Sequence, residues 1–154
     1  MRTAVDQEIQ NALRGVLGQQ DNQKLKGKSM RYPIGTVATL TVGIKKYFCM
    51  AYSRMGNNLQ AQSSLGELSK SLEMLWDEII SKGQHDKVAI AVLGSDCARL
   101  ANIVSPSNLI KLIVSSFILA SRQKAITQEL VVVIHPSKLE KVNMIELNEF
   151  LQNF

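Results

Sequence analysis

Apolar residues recur every three or four positions in four segments of the chain, which predicts four amphipathic helices. The first covers residues 4–17, has acidic side chains in its first turn, where the helix dipole favours them, and should end near Gly18. The second covers residues 65–79, and Gly83 supplies its C-terminal stop.

The other two predicted helices lie in the C-terminal half. Ser105 is typical of a residue that caps a helix N-terminus, and Pro106 suits the first helical position. A helix should therefore run from there to about Gln123. Residues 142–151 again have helical spacing and predict a short closing helix.

Four further segments have strand character. Residues 36–42 alternate with period two and residues 47–52 are aromatic and apolar, so together they predict a β-hairpin. Residues 88–93 and 130–134 are short continuous apolar runs, typical of central strands that are buried on both faces. The second hairpin strand is also apolar on both faces, so we expect it inside a sheet covered by helices.

The alternation of strands with helices of ten or more residues predicts βαβ crossovers and an α/β fold with a largely parallel sheet. The hairpin adds one antiparallel pair. Residues 19–31 and 53–63 are polar and aperiodic, so we expect surface loops there. A chain of 154 residues with 45% hydrophobic positions can bury one core, which favours a single domain over residues 1–154.

Composition disfavours several classes of protein. The two cysteines, Cys49 and Cys97, have no metal-ligand spacing and no histidine cluster beside them, which argues against a zinc site or a disulfide framework. The N-terminal segment lacks the apolar core of a secretory signal. The apolar stretch at 109–120 is interrupted and too short to span a bilayer. We therefore expect a cytoplasmic chain without a membrane span.

Positive charge is concentrated in and before the hairpin. Residues 21–54 contain seven Lys or Arg and one Asp, a net charge of +6, whereas the whole chain carries +5. This region should attract an anionic ligand. The basic run at 24–31 has no interleaved aromatic residues, so we do not expect a nucleic-acid partner.

In a sheet of this kind ligands bind beyond the carboxyl ends of the strands, and three loops qualify. They are residues 53–58, 94–99 and 135–137. In the second loop, a glycine and a serine directly after a buried strand allow backbone N–H groups to approach phosphate oxygens. Gly94 equally suits a tight strand-to-helix turn without any ligand, since no complete phosphate-binding motif is present.

The side chains of these loops also have two interpretations each. Arg54 and Arg99 can clamp a diphosphate, or each can pair with a carboxylate such as Asp96. His135 can stack on a base or donate a hydrogen bond, or it can be a structural histidine. Cys97 has no assignable base and is a poor candidate for a nucleophile.

Four segments, taken in order, carry a resemblance to a known family. They are Tyr32-Pro33-Ile34-Gly35-Thr36-Val37, then Lys46-Tyr47-Phe48 with Ala51-Tyr52-Ser53-Arg54-Met55, then Leu93-Gly94-Ser95-Asp96-Cys97-Ala98-Arg99-Leu100, and finally Ile134-His135-Pro136. In order and spacing the chain resembles the macro domain of Thoeris anti-phage defence effectors over nearly its whole length. The resemblance implies a three-layer macro-domain-like fold, with a mixed, mostly parallel sheet between helices.

The resemblance also implies a ligand, ADP-ribose or a related NAD-derived nucleotide. It implies no catalytic residue, no metal and no other cofactor. Carried over by position, the ligand-binding residues are Gly94, Ser95, Asp96, Cys97, Ala98 and Arg99 in the diphosphate loop, Ser53, Arg54 and Met55 in the neighbouring loop, and His135 at the far rim.

In Thoeris systems a TIR-domain enzyme makes the nucleotide signal and the effector receives it. The resemblance therefore predicts a non-catalytic sensing module, with formation of a homo-oligomer as a candidate response. Macro domains begin with strands before the first helix, so we expect that this chain lacks its N-terminal strands. The alternative function is an ADP-ribosyl hydrolase that uses Asp96; because Asp96 lies in the diphosphate loop, we rank sensing above hydrolysis.

Overall fold

The computed structural model of the protein describes residues 4–95, 100 and 102–154. In chain order its helices are α1 (Ala4–Ala12), α2 (Leu65–Lys82), α3 (Pro106–Gln123), α4 (Pro136–Leu139) and α5 (Met144–Leu151). Its strands are β1 (Gln19–Gln20), β2 (Met30–Arg31), β3 (Val37–Val42), β4 (Lys45–Met50), β5 (Arg54–Met55), β6 (Ala61–Gln62), β7 (Val88–Ala91) and β8 (Leu130–Val133).

The described strands pair two by two instead of forming one sheet. β3 and β4 form the expected antiparallel hairpin, in which Val42 faces Lys45, and β7 and β8 form a parallel pair, in which Ala91 faces Val133. β1–β2 and β5–β6 are short antiparallel pairs. The expectation of a mostly parallel sheet is therefore wrong for the described residues. Residues 19–31 and 53–63, expected to be surface loops, each form one of these short pairs. Such pairs form readily because closing a short loop between near neighbours costs little chain entropy.

α2 and α3 form the centre of the core. Leu68, Leu72 and Trp76 of α2 and Leu109 and Ile113 of α3 have exposed fractions of 0%. The positions in α2 lie on one helix face because they are three or four residues apart, so the predicted helical stripe is confirmed. Partly buried residues of the hairpin, β7 and β8 pack against this cluster.

Two contacts position the indole of Trp76 between the helices. Its Nε1 donates a hydrogen bond to Ser116 Oγ at 3.0 Å, and its ring meets Phe117 edge to face with centroids 5.4 Å apart. Ser116 Oγ donates in turn to the Ile113 carbonyl at 2.8 Å. The buried N–H therefore has a partner, and polar as well as apolar contacts join α2 to α3.

The N-termini of the two long helices follow their sequence signals. Ser105 caps α3, where its hydroxyl accepts a hydrogen bond from the Asn108 N–H at 3.2 Å, and Pro106 is the first helical residue. α2 begins with a capping box, in which Ser64 and Glu67 each accept from the other's backbone N–H. Both predicted helices are confirmed.

Two boundaries differ from the prediction. α1 ends at Ala12 and not near Gly18, because Gly15 adopts a φ of 91°, which interrupts the helix. Pro136, expected only to stop a strand, opens the short helix α4. Among the described residues, no helix combines the length and apolar character that crossing a membrane requires.

β4, β7 and β8 are less buried than the sequence predicts. Of the predicted strand 47–52, Tyr47 is exposed and the other residues are half-buried, and of the predicted strand 88–93 only Ile90 and Val92 are buried. Side chains of a strand project from the two faces of its sheet, and other elements cover the faces of these two-stranded sheets only in part, so the side chains keep contact with solvent. The expectation of central strands that are buried on both faces is wrong here.

Removal of the hydrogen-bond partner of Trp76 should weaken the contact between α2 and α3. We expect Ser116→Ala to lower the free energy of unfolding by about 1–3 kcal/mol, the cost of an unsatisfied buried donor. Urea unfolding followed by far-UV circular dichroism measures the change. Phenylalanine has no N–H group, so in a Trp76→Phe background Ser116→Ala should lower the free energy of unfolding by clearly less. Ser115→Ala is the control, and an equal loss from Ser115→Ala would contradict the prediction.

Candidate functional site

The parallel pair brings two of the three predicted loops to one edge. Directly after the paired residues, the Val92 N–H donates to the Val133 carbonyl at 2.9 Å. Gly94 and His135 each lie two residues beyond this hydrogen bond. Because the carboxyl ends of parallel strands meet at the same edge, the structure places these two loops next to each other.

Gly94 is buried against the first turns of both long helices. A Cβ atom on Gly94 would lie 3.1 Å from Leu100 Cδ1 and 3.6 Å from the Cδ2 atoms of Leu68 and Leu109. The φ of Gly94 is 85°, in the left-handed region that favours glycine. Packing and backbone conformation therefore both require glycine here, independently of any ligand.

The same contacts place two helix N-termini at this edge. Leu68 and Leu109 are the fourth residues of α2 and α3, each of which is 18 residues long. The N-terminus of a helix carries a partial positive charge and backbone N–H groups that favour anions. Backbone N–H groups at these two N-termini can therefore favour an anion next to Gly94, beside the Glu67 carboxylate in the first turn of α2.

The loop that contains Ser53, Arg54 and Met55 is held at the same end of α2. Arg54 forms an ion pair with Glu67 in the first turn of α2. The Met55 carbonyl accepts a hydrogen bond from Lys24 Nζ at 2.5 Å, and Ser53 is half-buried. The structure thus shows the carboxylate-paired alternative for Arg54, with Glu67 as the partner.

The environment of Glu67 keeps its carboxylate ionised. Burial acts to raise the pKa of Glu67, but the hydrogen bond and charge of Arg54 and the hydrogen bonds from Ser64 outweigh burial and lower the pKa below its ordinary value. Sequence reasoning did not identify Glu67 as part of this region. Its only sequence signal is the capping-box spacing from Ser64.

His135 follows β8 and caps α4. Its Nδ1 lies 2.8 Å from Ser137 Oγ and accepts a hydrogen bond from the Ser137 N–H at 3.3 Å. An imidazole that accepts at Nδ1 carries its proton at Nε2 when neutral. His135 is exposed, so its ring both caps a helix and offers a donor at the edge.

The described part of the predicted diphosphate loop, residues 94–99, consists of its first two residues. Ser95 is half-buried, and its Oγ donates to the Val92 carbonyl at 3.3 Å. The structure brings Gly94 and Arg54 to the first turn of α2, and His135 follows β8, the parallel partner of the strand that leads to Gly94. The remaining predicted ligand-binding residues, Asp96, Cys97, Ala98 and Arg99, lie outside the described residues.

A cleft of about 600 Å³ lies elsewhere, between α1, the segment before the hairpin and the hairpin itself. Ile9, Leu13, Ala38 and Cys49 line it, and burial raises the pKa of the Cys49 thiol. None of the predicted ligand-binding residues in the described part of the chain lines this cleft. Sequence reasoning missed it because its walls come from segments that no local pattern connects.

Replacement of Gly94 should destabilise the fold. We expect Gly94→Ala to lower the free energy of unfolding by about 1–2 kcal/mol from the left-handed conformation alone, with more from the close contact with Leu100. Gly66→Ala is the matched control, because a Cβ on Gly66 meets nothing within 4 Å. Gly66 lies in a helix, so alanine should stabilise it by about 0.5–1 kcal/mol. Thermal and urea unfolding test both, and an unchanged stability of Gly94→Ala would contradict the packing assignment.

The Arg54–Glu67 ion pair should make stability depend on pH in the acidic range. Since the folded pKa of Glu67 is lowered, its stabilisation is complete above the ordinary glutamate range and is lost as the pH falls through the folded pKa. At pH 7 we expect the free energy of unfolding of the wild type to exceed that of Glu67→Gln by about 0.2–1 kcal/mol. Glutamine keeps the cap acceptor but does not titrate, so the difference should vanish as the pH falls through the lowered folded pKa of Glu67.

Urea unfolding across this pH range provides the measurement. Glu73→Gln, at an exposed position in the middle of α2, is the control for the loss of one carboxylate. A difference between wild type and Glu67→Gln that stays constant with pH would show that the carboxylate is not stabilised as described.

Comparison with known proteins identifies the family of this chain. The family model described as the macro domain of the Thoeris protein ThsA matches residues 1–135. The Thoeris protein ThsA of Bacillus amyloliquefaciens (strain Y2) is 23% identical over 153 residues, which cover 98% of this chain and 50% of that protein. The chain therefore spans about half the length of this curated relative. The chain belongs to the family of ThsA macro domains.

Proposed function

We propose that the chain is a non-catalytic sensing module that binds an ADP-ribose-like, NAD-derived nucleotide in Thoeris anti-phage defence. The observation that carries the proposal is the convergence of two helix N-termini and the predicted ligand loops at Gly94. Membership of the ThsA macro-domain family supports the same assignment, since the relative is a Thoeris protein.

The electrostatics of this edge suit a diphosphate. The positive ends of α2 and α3 meet there, and Arg54 adds a guanidinium in the adjoining loop. A guanidinium has five N–H donors, so Arg54 can keep its bond to Glu67 and still donate to a phosphate oxygen. The acidic partner is therefore compatible with a role of Arg54 in binding.

Each described candidate has a distinct role in the proposed complex. The backbone after β7, at Gly94 and Ser95, approaches the diphosphate, and the residues up to Arg99 complete the loop. Ser53, Arg54 and Met55 form the adjoining wall. His135 donates from Nε2 to the far part of the ligand, because Nδ1 is used in the cap of α4.

The wider role in defence is part of the same proposal. A TIR-domain enzyme would supply the nucleotide, and binding would shift the population of a homo-oligomeric, active state. We place this activity in the cytoplasm, with the nucleotide as the ligand and without a further cofactor.

Calorimetric titration with ADP-ribose and its base-conjugated derivatives tests the proposal. We expect saturable binding, weakened about fivefold in His135→Asn by the loss of one hydrogen bond to the far part of the ligand. Asparagine is a good N-cap residue, so α4 should be retained. Gly94 is unsuitable for this test, because any side chain there enters the core.

His85→Asn is the matched control. His85 is exposed, and its φ of 59° is a conformation that asparagine tolerates, so the imidazole is removed without strain. His85 precedes β7, at the end of the strand opposite Gly94. Equal weakening in both variants, or no binding of any ADP-ribose derivative, would contradict the proposal. Release of ADP-ribose from a modified substrate would favour the hydrolase instead.

A further inference from the structure

The tip of the β3–β4 hairpin, residues 42–47, presents apolar side chains to solvent. The exposed fractions of Val42, Ile44 and Tyr47 are 58%, 97% and 49%. Val42 continues the strand face of Ala38 and Leu40, which are buried. The hairpin thus extends an apolar face beyond the part of the molecule that covers it.

The fold does not require an apolar residue at the apex. Val42 pairs directly with Lys45, so Gly43 and Ile44 form a two-residue turn. Gly43 has a φ of 60°, as the first position of a type II′ turn requires. Ile44 follows at a position where polar residues serve the turn equally well. Its side chain contributes almost no burial to the folded chain.

Lysines surround this apolar tip. Lys45 is exposed and has no carboxylate partner among the residues that the structure describes, and Lys46 Nζ donates to the Lys82 carbonyl at the end of α2. Lys82 pairs with Glu78, whose carboxylate also accepts a hydrogen bond from Thr39 Oγ1 at 2.6 Å. The glutamate beside the hairpin is therefore already engaged.

We propose that the hairpin tip docks on an anionic lipid surface, with Ile44 inserted between headgroups and Lys45 and Lys46 at the level of the lipid phosphates. Charge complementarity points to an anionic partner, since the lysines outnumber the acidic groups around the tip. The 97% exposure of Ile44 at the apex of the turn favours a lipid over a protein, because a bilayer interface receives a protruding side chain without a preformed pocket. Tyr47 suits the same interface, because its ring is apolar and its hydroxyl polar.

The lipid surface and the nucleotide site lie at opposite ends of one helix. Lys46 contacts the last residue of α2, whereas Gly94 lies against its first turn. A helix of 18 residues is about 27 Å long, so both sites can be occupied at once. The two proposals can therefore be tested separately, and failure of nucleotide binding would not contradict the docking proposal.

Vesicle flotation with the full chain tests the proposal. We expect binding to vesicles rich in phosphatidylglycerol and not to vesicles of phosphatidylcholine alone. Ile44→Ser should weaken the partition about tenfold, as expected when one large aliphatic side chain no longer enters an apolar environment. Lys45→Gln should weaken it about fivefold, the effect of one lysine at an anionic surface.

Ile145→Ser is the matched control, since Ile145 is 74% exposed on α5, away from the tip. It should leave the partition within about twofold of wild type, because one exposed aliphatic side chain outside the interface contributes little. Thermal unfolding of Ile44→Ser should match wild type, which separates lipid binding from folding.

Failure to bind phosphatidylglycerol vesicles would overturn the proposal. Equal losses from Ile44→Ser and Ile145→Ser, or equal binding to phosphatidylcholine vesicles, would also overturn it. Salt-sensitive binding to an acidic protein or nucleic acid that depends on Lys45 but not on Ile44 would likewise replace the lipid with a purely electrostatic partner.

Discussion

The burial of α2 is the constraint on which the rest of the structure depends. One face of this helix packs against α3, with Trp76 between the two. Another face lies against the hairpin, where Glu78 accepts a hydrogen bond from Thr39. Its first turn contacts Gly94 and binds Arg54, so the same helix determines where the strand-end loops lie. The candidate site is a consequence of this packing.

The two ends of α2 use their carboxylates in the same way. Burial acts to raise the pKa of both Glu67 and Glu78, and in each case hydrogen bonds and a nearby cation lower it overall. Each carboxylate therefore stays ionised and is occupied by an arginine or a lysine. The first end is where we propose that the nucleotide binds, and the last end, where Lys46 contacts the Lys82 carbonyl, lies beside the proposed lipid contact.

Gly94 illustrates how packing and ligand binding can require the same residue. A glycine after a buried strand is typical of a phosphate-binding loop. The structure shows a second reason for glycine at this position, because a Cβ atom there would contact Leu68, Leu100 and Leu109. The residue therefore does not by itself identify a ligand. The convergence of two helix N-termini and two predicted loops on that point is the stronger argument, because it brings backbone N–H groups from separate elements to one place.

The sequence alone determined α2, α3 and the hairpin, since helical spacing, the Ser105–Pro106 start and strand alternation are local properties of the backbone. Tertiary structure decided what those elements meet. The pairing of Arg54 with Glu67, the burial of Gly94 and the cleft beside Cys49 all join residues from different elements. The low burial of β7 and β8 likewise reflects the number of strands that pair. Such contacts follow from how elements pack around α2, and local periodicity carries no information about that packing.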